Sequence, residues 1–557
     1  MMVIGSRLKA FRVGLAILVV LGVAMIAPFG LSSMAIRADS GSGATVQTGS
    51  VGGAVPGLNS VGVAKNGVIV IAPFEPDASG NFSLQAFSSQ DPSAGPVAVL
   101  NLGKWGLIYP TSVSVDSLND VYFRATQLTT DSSGDLVTAE VLGIAKIKVR
   151  NSSVSFVGGV IVLPIDVPSA PQSDTVVDTG LIPVAIAAGN RAVAFTNGQD
   201  VYIVTSLEGN VYRVAIVPPG QCELIDPANF NADFYQITAL SLDPASETLS
   251  ITVNQRVNGV NSFWVYFYQL DEKPQDAAFG TVNLLRVVSS GQGALAATGA
   301  SVTPGSTAVT SQDGTAAYFV TDDGSVIQSS LKPSATDAVS VAQFACLAAD
   351  DDVYNLAGPI LGSFSPSYST MAFVKKGYFW NIKRPGGIKR PGGIAKPGFF
   401  STFEAPGLAV LGFGSSGGVE STSVFTDFGQ PTTVPPGISN AAFDLNENVY
   451  IASVCGGLLS ASPAGQQLNA VAPSAPSAMV SIRSVTAGQA GTSIVGIGSG
   501  LQDNQPVLDS GVLAVVSNLQ NSSSVAPRAS LTAVLGAPAR ALVAAGSMVR
   551  RPGSLVR

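Results

Sequence analysis

One pattern recurs along this chain and limits the folds open to it: a short β-branched strand, a polar turn, a strand, a second turn and a strand. Ser311-Gln312-Asp313-Gly314-Thr315 leads into Ala317-Tyr318-Phe319-Val320, the turn Asp322-Asp323-Gly324 and then Val326-Ile327. Ser241-Leu242-Asp243-Pro244 leads into Leu249-Ser250-Ile251-Thr252-Val253. Ser363-Phe364-Ser365-Pro366 leads into Met371-Ala372-Phe373-Val374, the turn Lys375-Lys376-Gly377 and Tyr378-Phe379-Trp380. Phe443-Asp444-Leu445-Asn446-Glu447-Asn448 leads into Val449-Tyr450-Ile451-Ala452. Runs of this kind, split by Asn-Gly or Asp-Gly turns, are hairpin signals. No long amphipathic helix is evident between residues 58 and 520.

Such meandering units need neighbours on both faces to bury their apolar sides, and a ring of them supplies those neighbours. The sequence therefore predicts an all-β chain, a single β-propeller of about seven four-stranded blades. The units start near residues 58, 110, 184, 237, 306, 362 and 438, and the segment 480–517 either completes the ring or makes an eighth blade. A β-sandwich array is the alternative architecture. Ser311-Gln312-Asp313-Gly314-Thr315 and Ser365-Pro366-Ser367 resemble the Ser-Pro-Asp-Gly turns of WD-like propellers such as the TolB-type family. The likeness covers a few imperfect units, and the complete Ser-Pro-Asp-Gly occurs nowhere. It implies the fold and brings no active-site residue with it.

The chain has no histidine. That excludes a Ser-His-Asp triad, a Cys-His pair and a His-ligated metal. Cys222, Cys346 and Cys455 are far apart, without CxxC spacing, so a thiolate metal site is not expected; one disulfide with a free thiol, or three free thiols, both fit. The carboxylate runs Asp350-Asp351-Asp352 and Asp322-Asp323 are candidates for calcium or for a glycosidase pair. Adjacent acids on a strand point to opposite faces, however, and these runs read as turn residues. Asp444-x-Asn446-x-Asn448 begins like a calcium loop but has Val449 where glycine belongs, so it too reads as a blade turn. Ser311-x-Asp313-Gly314-Thr315 departs from the sialidase Asp-box in spacing and lacks its tryptophan. No cofactor, metal or catalytic residue is predicted.

Charge is sparse and uneven. Only 12% of residues are charged, yet residues 1–37 carry +4 and 524–557 carry +5 with no acid in either, leaving −16 between them. Arg7, Lys9 and Arg12 precede an uncharged apolar stretch, Val13 to Ile36, and Ser33-Met34-Ala35 is a small-x-Ala pattern. Residues 1–38 are thus expected to be a signal peptide or an N-terminal membrane anchor, with the rest outside. The sequons at Asn81, Asn151 and Asn521 suit an exterior protein. Residues 39–57 read as a Gly/Ser/Val-rich linker, 58–520 as the propeller, and 521–557 as a basic Ala/Val-rich tail.

Against that acidic body stands one cationic loop, Asn381 to Gly398, in which Ile382–Gly387 repeats identically as Ile388–Gly393. Its Pro and Gly residues forbid regular structure and keep it facing solvent. The expected ligand contacts are Trp380, Lys383, Arg384, Lys389, Arg390 and Lys396, with Phe399 and Phe400 beside them. A solvated expanded repeat that binds nothing is the plainer reading of the same residues. The function expected is an exported, surface-associated, non-catalytic binding or structural module of the cell envelope or a surface assembly. Anionic glycan, lipid headgroups or other surface proteins are the expected partners, rather than nucleic acid. The alternative is an exported propeller hydrolase that works on glycans through carboxylates.

Overall fold

Where valine, isoleucine and the aromatics alternate with small polar residues, the chain hydrogen-bonds into antiparallel meanders. The computed structural model describes residues 36–37, 45–51 and most of 61–517. Outside the description lie 1–35 and 518–557 and, within the span, 165–185, 215–233, 271–281, 290–305, 349–359, 384–398, 429–437 and some shorter turns. The expected signal or anchor and the basic tail therefore fall outside the described residues. Among those residues, no helix is long and apolar enough to cross a membrane.

The described residues hold eight sheets of four or five strands and one of two. In chain order they start with Val61–Val63, Leu107–Val115, Ile186–Ala188, Phe234–Leu242, Val309–Thr310, Ile360–Phe364, Ile438–Phe443 and Val480–Ala487. In the first seven, strand order follows chain order from the first strand to the fourth, apart from one insertion in the sixth. The eighth differs: Val480–Ala487, Ile494–Gln502 and Gln505–Ser517 are joined by Thr45–Val51 from the other end of the sequence, with Ile36–Arg37 outside it. Thr45 pairs with Ser517 and Val51 with Gly511. Segment 480–517 thus supplies three strands of a separate sheet that Thr45–Val51 extends. Thr45–Val51 falls inside the stretch read as linker, yet it is a paired strand, because it supplies partners to backbone groups of Gln505–Ser517 that water would otherwise have to satisfy.

Burial joins these sheets in a circle. One apolar cluster joins the first sheet to the second, with Val70, Leu84, Val121 and Phe123 in it. Ile186–Ala188 of the third sheet lies beside Leu107–Val115 of the second. Further clusters join the third to the fourth, the fourth to the fifth, the fifth to the sixth and the sixth to the seventh. Ile438–Phe443 lies against Val480–Ala487. The last cluster closes the circle, packing Ile69, Ile71 and Phe87 of the first sheet against Val495, Ile497, Leu513 and Val515 of the eighth. A sandwich array has end sheets with an open face; a succession of faces that returns to its start does not. The fold is a β-propeller.

Fit between faces is close: a Cβ on Gly62 of the first sheet would overlap the Val115 side chain of the second. Within the second sheet Phe123 is fully buried with its ring over Gly143 of the adjacent strand. Each large side chain buried in this way contributes about 1.5–3 kcal/mol.

The sixth sheet corrects one expectation. The sequence pattern predicts Tyr378-Phe379-Trp380 as the next blade strand after Met371–Val374. The strand that pairs with Thr370–Lys375 is instead Gly407–Phe413. Phe379–Lys383 pairs with Phe399–Phe403 as a separate two-stranded ribbon inserted between them. Lys375, expected in a turn, ends the blade strand; it is 3% exposed and donates to the Ala348 carbonyl at 2.5 Å. Pattern alone cannot tell a blade strand from an inserted ribbon, since both are short apolar runs next to a turn.

Candidate functional site

Five sheets close their first hairpin on the same kind of turn. In each, an Asp or Ser side-chain oxygen accepts backbone N–H groups from further along its own turn. Asp116 Oδ1 takes Leu118 and Asp120, both at 2.9 Å. Asp243 Oδ1 takes Ala245 at 3.0 Å and Ser246 at 2.6 Å. Ser311 Oγ takes Ala316 at 3.0 Å, and Ser365 Oγ takes Thr370 at 3.1 Å. Asp444 Oδ1 takes Asn446 at 2.8 Å and Asn448 at 2.9 Å. Short polar side chains compete well for local amides, which is why they start these turns. The hairpin must then reverse through a left-handed residue: Asn119 (φ 65°), Glu247 (φ 53°), Gly314 (φ 65°), Tyr368 (φ 58°) and Glu447 (φ 65°). Four of the five are not glycine, so the side-chain bonds offset a cost of about 1–2 kcal/mol at each.

Turns of different sheets are tied together. Tyr368 Oη of the sixth sheet donates to Asp243 Oδ2 of the fourth at 2.7 Å. Ser246 Oγ and Thr310 Oγ1 share a hydrogen bond of 3.3 Å between the fourth and fifth. Glu447 of the seventh accepts from Ser367, Ser369 and Thr370 of the sixth, the last at 2.6 Å. Behind Tyr368, Phe364 packs with its ring tilted at 5.3 Å and in turn meets Tyr318 at 5.7 Å and Phe413 at 6.0 Å. The turns of the fourth to seventh sheets are therefore linked on one side of the ring, rich in carboxylate and hydroxyl groups over an aromatic floor.

Electrostatics follow from this bonding. Burial, with the hydrogen bond to Asp243 behind it, raises the Tyr368 phenol above its ordinary range, so it stays a donor. Burial alone would raise the Asp313 carboxyl, but donors from Ser311 and Thr315 win and hold it low. Asp444 Oδ2 accepts from Asn448 Nδ2 at 2.9 Å and Tyr450 Oη at 3.1 Å, and Asp444 is fully buried. Its loop is a turn that holds its own amides, in place of the calcium loop its first residues suggest. Asp323 is likewise occupied by Thr321 and Ser325. Asp350, Asp351 and Asp352 lie outside the described residues, as do Cys222 and Cys455; Cys346 is a free thiol.

Of the residues predicted to meet a ligand, Trp380 and Lys383 lie on the inserted ribbon, opposite Thr402 and Phe399. Arg384, Lys389, Arg390 and Lys396 lie outside the described residues. The sequence pattern does not mark the linked turns as a site. Asp243, Tyr368 and Glu447 are recognisable only by their place in a turn, at its start or at its left-handed position, and nothing local says which turns meet.

No family model matches the sequence, and no curated protein matches it. Solved structures do show likeness. Sqt1 of Saccharomyces cerevisiae is 10% identical, with a TM-score of 0.41 over 84% of this chain and 98% of that one. The WD40 domain of Neurospora crassa Pan2 is 8% identical, with a TM-score of 0.35 over 73% and 89%. The β-propeller domain of Myceliophteria thermophila Cps50 (Swd1) is 10% identical, with a TM-score of 0.32 over 70% and 95%. At these scores the likeness adds nothing to what the closed ring of sheets establishes.

Proposed function

We propose that this protein is an exported, surface-associated propeller that serves as a non-catalytic binding or structural module, with its basic loop 382–398 as the contact for an anionic partner. The observation that carries the reading is the inserted ribbon. Among the described residues Phe379–Lys383 and Phe399–Phe403 pair with each other and with no blade strand, and the basic stretch 384–398 joins the two in sequence. An isolated two-stranded ribbon is marginal in water, which suits an element that settles on a partner. The turn carboxylates support the non-catalytic half of the reading. Asp243, Asp313, Asp323 and Asp444 are engaged by their own turns or by a neighbouring one, so their lone pairs serve the architecture. Export rests on the charged and apolar segment before residue 38.

Attraction between the loop and a polyanion is Coulombic. Exposed pairs contribute roughly 0–1 kcal/mol each, so several must act together. Retention on a sulfated polysaccharide matrix should therefore fall steeply with salt, as the screening length drops from about 10 Å at 0.1 M to about 3 Å at 1 M. Replacing Lys383, Arg384, Lys389 and Arg390 by Ser should abolish retention and leave the unfolding midpoint in place. Vesicles with and without anionic lipid, run in parallel, distinguish a headgroup from a glycan. Equal retention of parent and variant would end the reading of the loop, and full-length protein recovered from the cytosol would end the reading of export.

A further inference from the structure

The first strands of successive sheets, such as Val61–Val63, Leu107–Val115 and Ile186–Ala188, lie side by side as the inner strands of the ring. Of the inner turns that follow them, two are near copies in sequence and in bonding. Asp116-Ser117-Leu118-Asn119-Asp120-Val121-Tyr122 and Asp444-Leu445-Asn446-Glu447-Asn448-Val449-Tyr450 share the leading Asp, the left-handed fourth residue and the Val-Tyr that starts the next strand. In both, Oδ1 of the leading Asp accepts the amides two and four residues on, and Oδ2 accepts the Tyr hydroxyl at 3.1 Å. They differ at the fifth residue. In the seventh sheet Asn448 donates its amide to Asp444 Oδ2 at 2.9 Å. In the second sheet that place belongs to Asp120, which as a carboxylate has no proton to give.

Asp120 is 4% exposed, as is Asp116. Its Oδ1 lies 3.2 Å from Lys146 Nζ, while its Oδ2 is buried with no hydrogen-bond partner among the described residues. A buried carboxylate oxygen without a donor is costly, and more so beside a second carboxylate. The twin turn shows what is missing: a hydrogen on the fifth residue directed at the first. We propose that Asp116 and Asp120 hold one proton between them, so that the inner turn of the second sheet is a pH-sensitive joint in the ring. The shared proton does in the second sheet what the Asn448 amide does in the seventh. It is taken from solvent on acidification and returned as pH rises.

Among the described residues the charges around the pair are few. Lys146, half-exposed on Leu136–Arg150 with Lys148 next along the same face, is ion-paired with Asp120. Tyr122 is a neutral donor to Asp116. The inner strands to either side, Val61–Val63 and Ile186–Ala188, contain no ionisable residue. Burial first, with repulsion from Asp120 behind it, lifts the Asp116 carboxyl from 3.8 to about 6 against the pull of its own turn amides. The folded turn therefore binds its proton roughly a hundredfold more tightly than the unfolded chain does. With the folded value raised, the stabilisation is complete below pH about 4 and is lost as pH rises to about 6.

The test compares the unfolding midpoint of the full chain with those of Asp120→Asn and Asn448→Asp from pH 4 to 8. Asp120→Asn installs the amide found in the seventh sheet. It should remove the loss of stability between pH 4 and 6 and unfold later than the parent above pH 6. Asn448→Asp should import a second loss in the same window, which keeps the proposal testable should the first variant fold poorly. An infrared band of a protonated carboxyl should persist to about pH 6 in the parent and vanish in Asp120→Asn. Parallel pH profiles for parent and Asp120→Asn, or no protonated carboxyl in the parent at pH 5, would overturn the shared proton.

Discussion

Replacing Asp444 by alanine tests whether the turn acids serve the architecture. Asp444 is fully buried and accepts four hydrogen bonds: two from backbone amides, one from Asn448 Nδ2 and one from the Tyr450 hydroxyl. Asn446 and Asn448 are half-buried, so water can reach the two freed amides, and each costs about 1 kcal/mol. Tyr450 is 5% exposed, so its hydroxyl loses a partner that water cannot replace, at about 1–3 kcal/mol. Relief from burying a carboxylate offsets part of the total, leaving a loss of about 3 kcal/mol. For a chain of this size, with an unfolding entropy of about 2 cal/mol/K per residue, that is a midpoint about 3 °C lower. Asp444→Asn keeps an oxygen for the two amides, and the Asn448 amide can turn over to face the new one, so about a third of the effect should remain. Thermal unfolding, with amide exchange at Asn446 and Asn448, measures both. If Asp444→Ala unfolds within 1 °C of the parent, or stays stable but loses a ligand, the turn acids are not braces and the non-catalytic reading loses its support.

Gly324 has φ +79°, and a Cβ there would overlap the Phe344 carbonyl and stand 2.9 Å from the Ala348 nitrogen; Gly134 has φ +85° with nothing within 4 Å. Gly324→Ala should therefore cost about 3 kcal/mol and Gly134→Ala about 1, since only the first adds a backbone collision to the strain; equal losses in denaturant titration would contradict this. Burial pushes the Cys346 thiol up to about 11, so in the native protein it should alkylate slowly at pH 8 and faster as pH approaches 11, as read by mass spectrometry of its peptide. A native rate equal to that in denaturant would refute the burial.

The all-β architecture was written in the sequence because it depends on local signals. Alternating β-branched residues and Asx or Gly turns specify each hairpin whatever surrounds it. The five inner turns could be read the same way: Asp116, Asp243, Ser311, Ser365 and Asp444 bond to amides within a few residues of themselves. The absence of histidine and the cationic repeat at 382–393 were equally plain. Contacts between distant segments were not. Thr45–Val51 looked like linker because its pairing with Gln505–Ser517 joins residues more than 450 positions apart, and no local pattern records it. Tyr378-Phe379-Trp380 reads as a blade strand and Asn381–Lys383 as loop, because apolar alternation is the same in a blade and in the inserted ribbon Phe379–Lys383. Tyr368 meeting Asp243, and Asp120 left without the amide that Asn448 supplies, are facts of the ring. Local preference sets the hairpins, while the order in which their faces pack decides which turns meet and which buried oxygens find a proton.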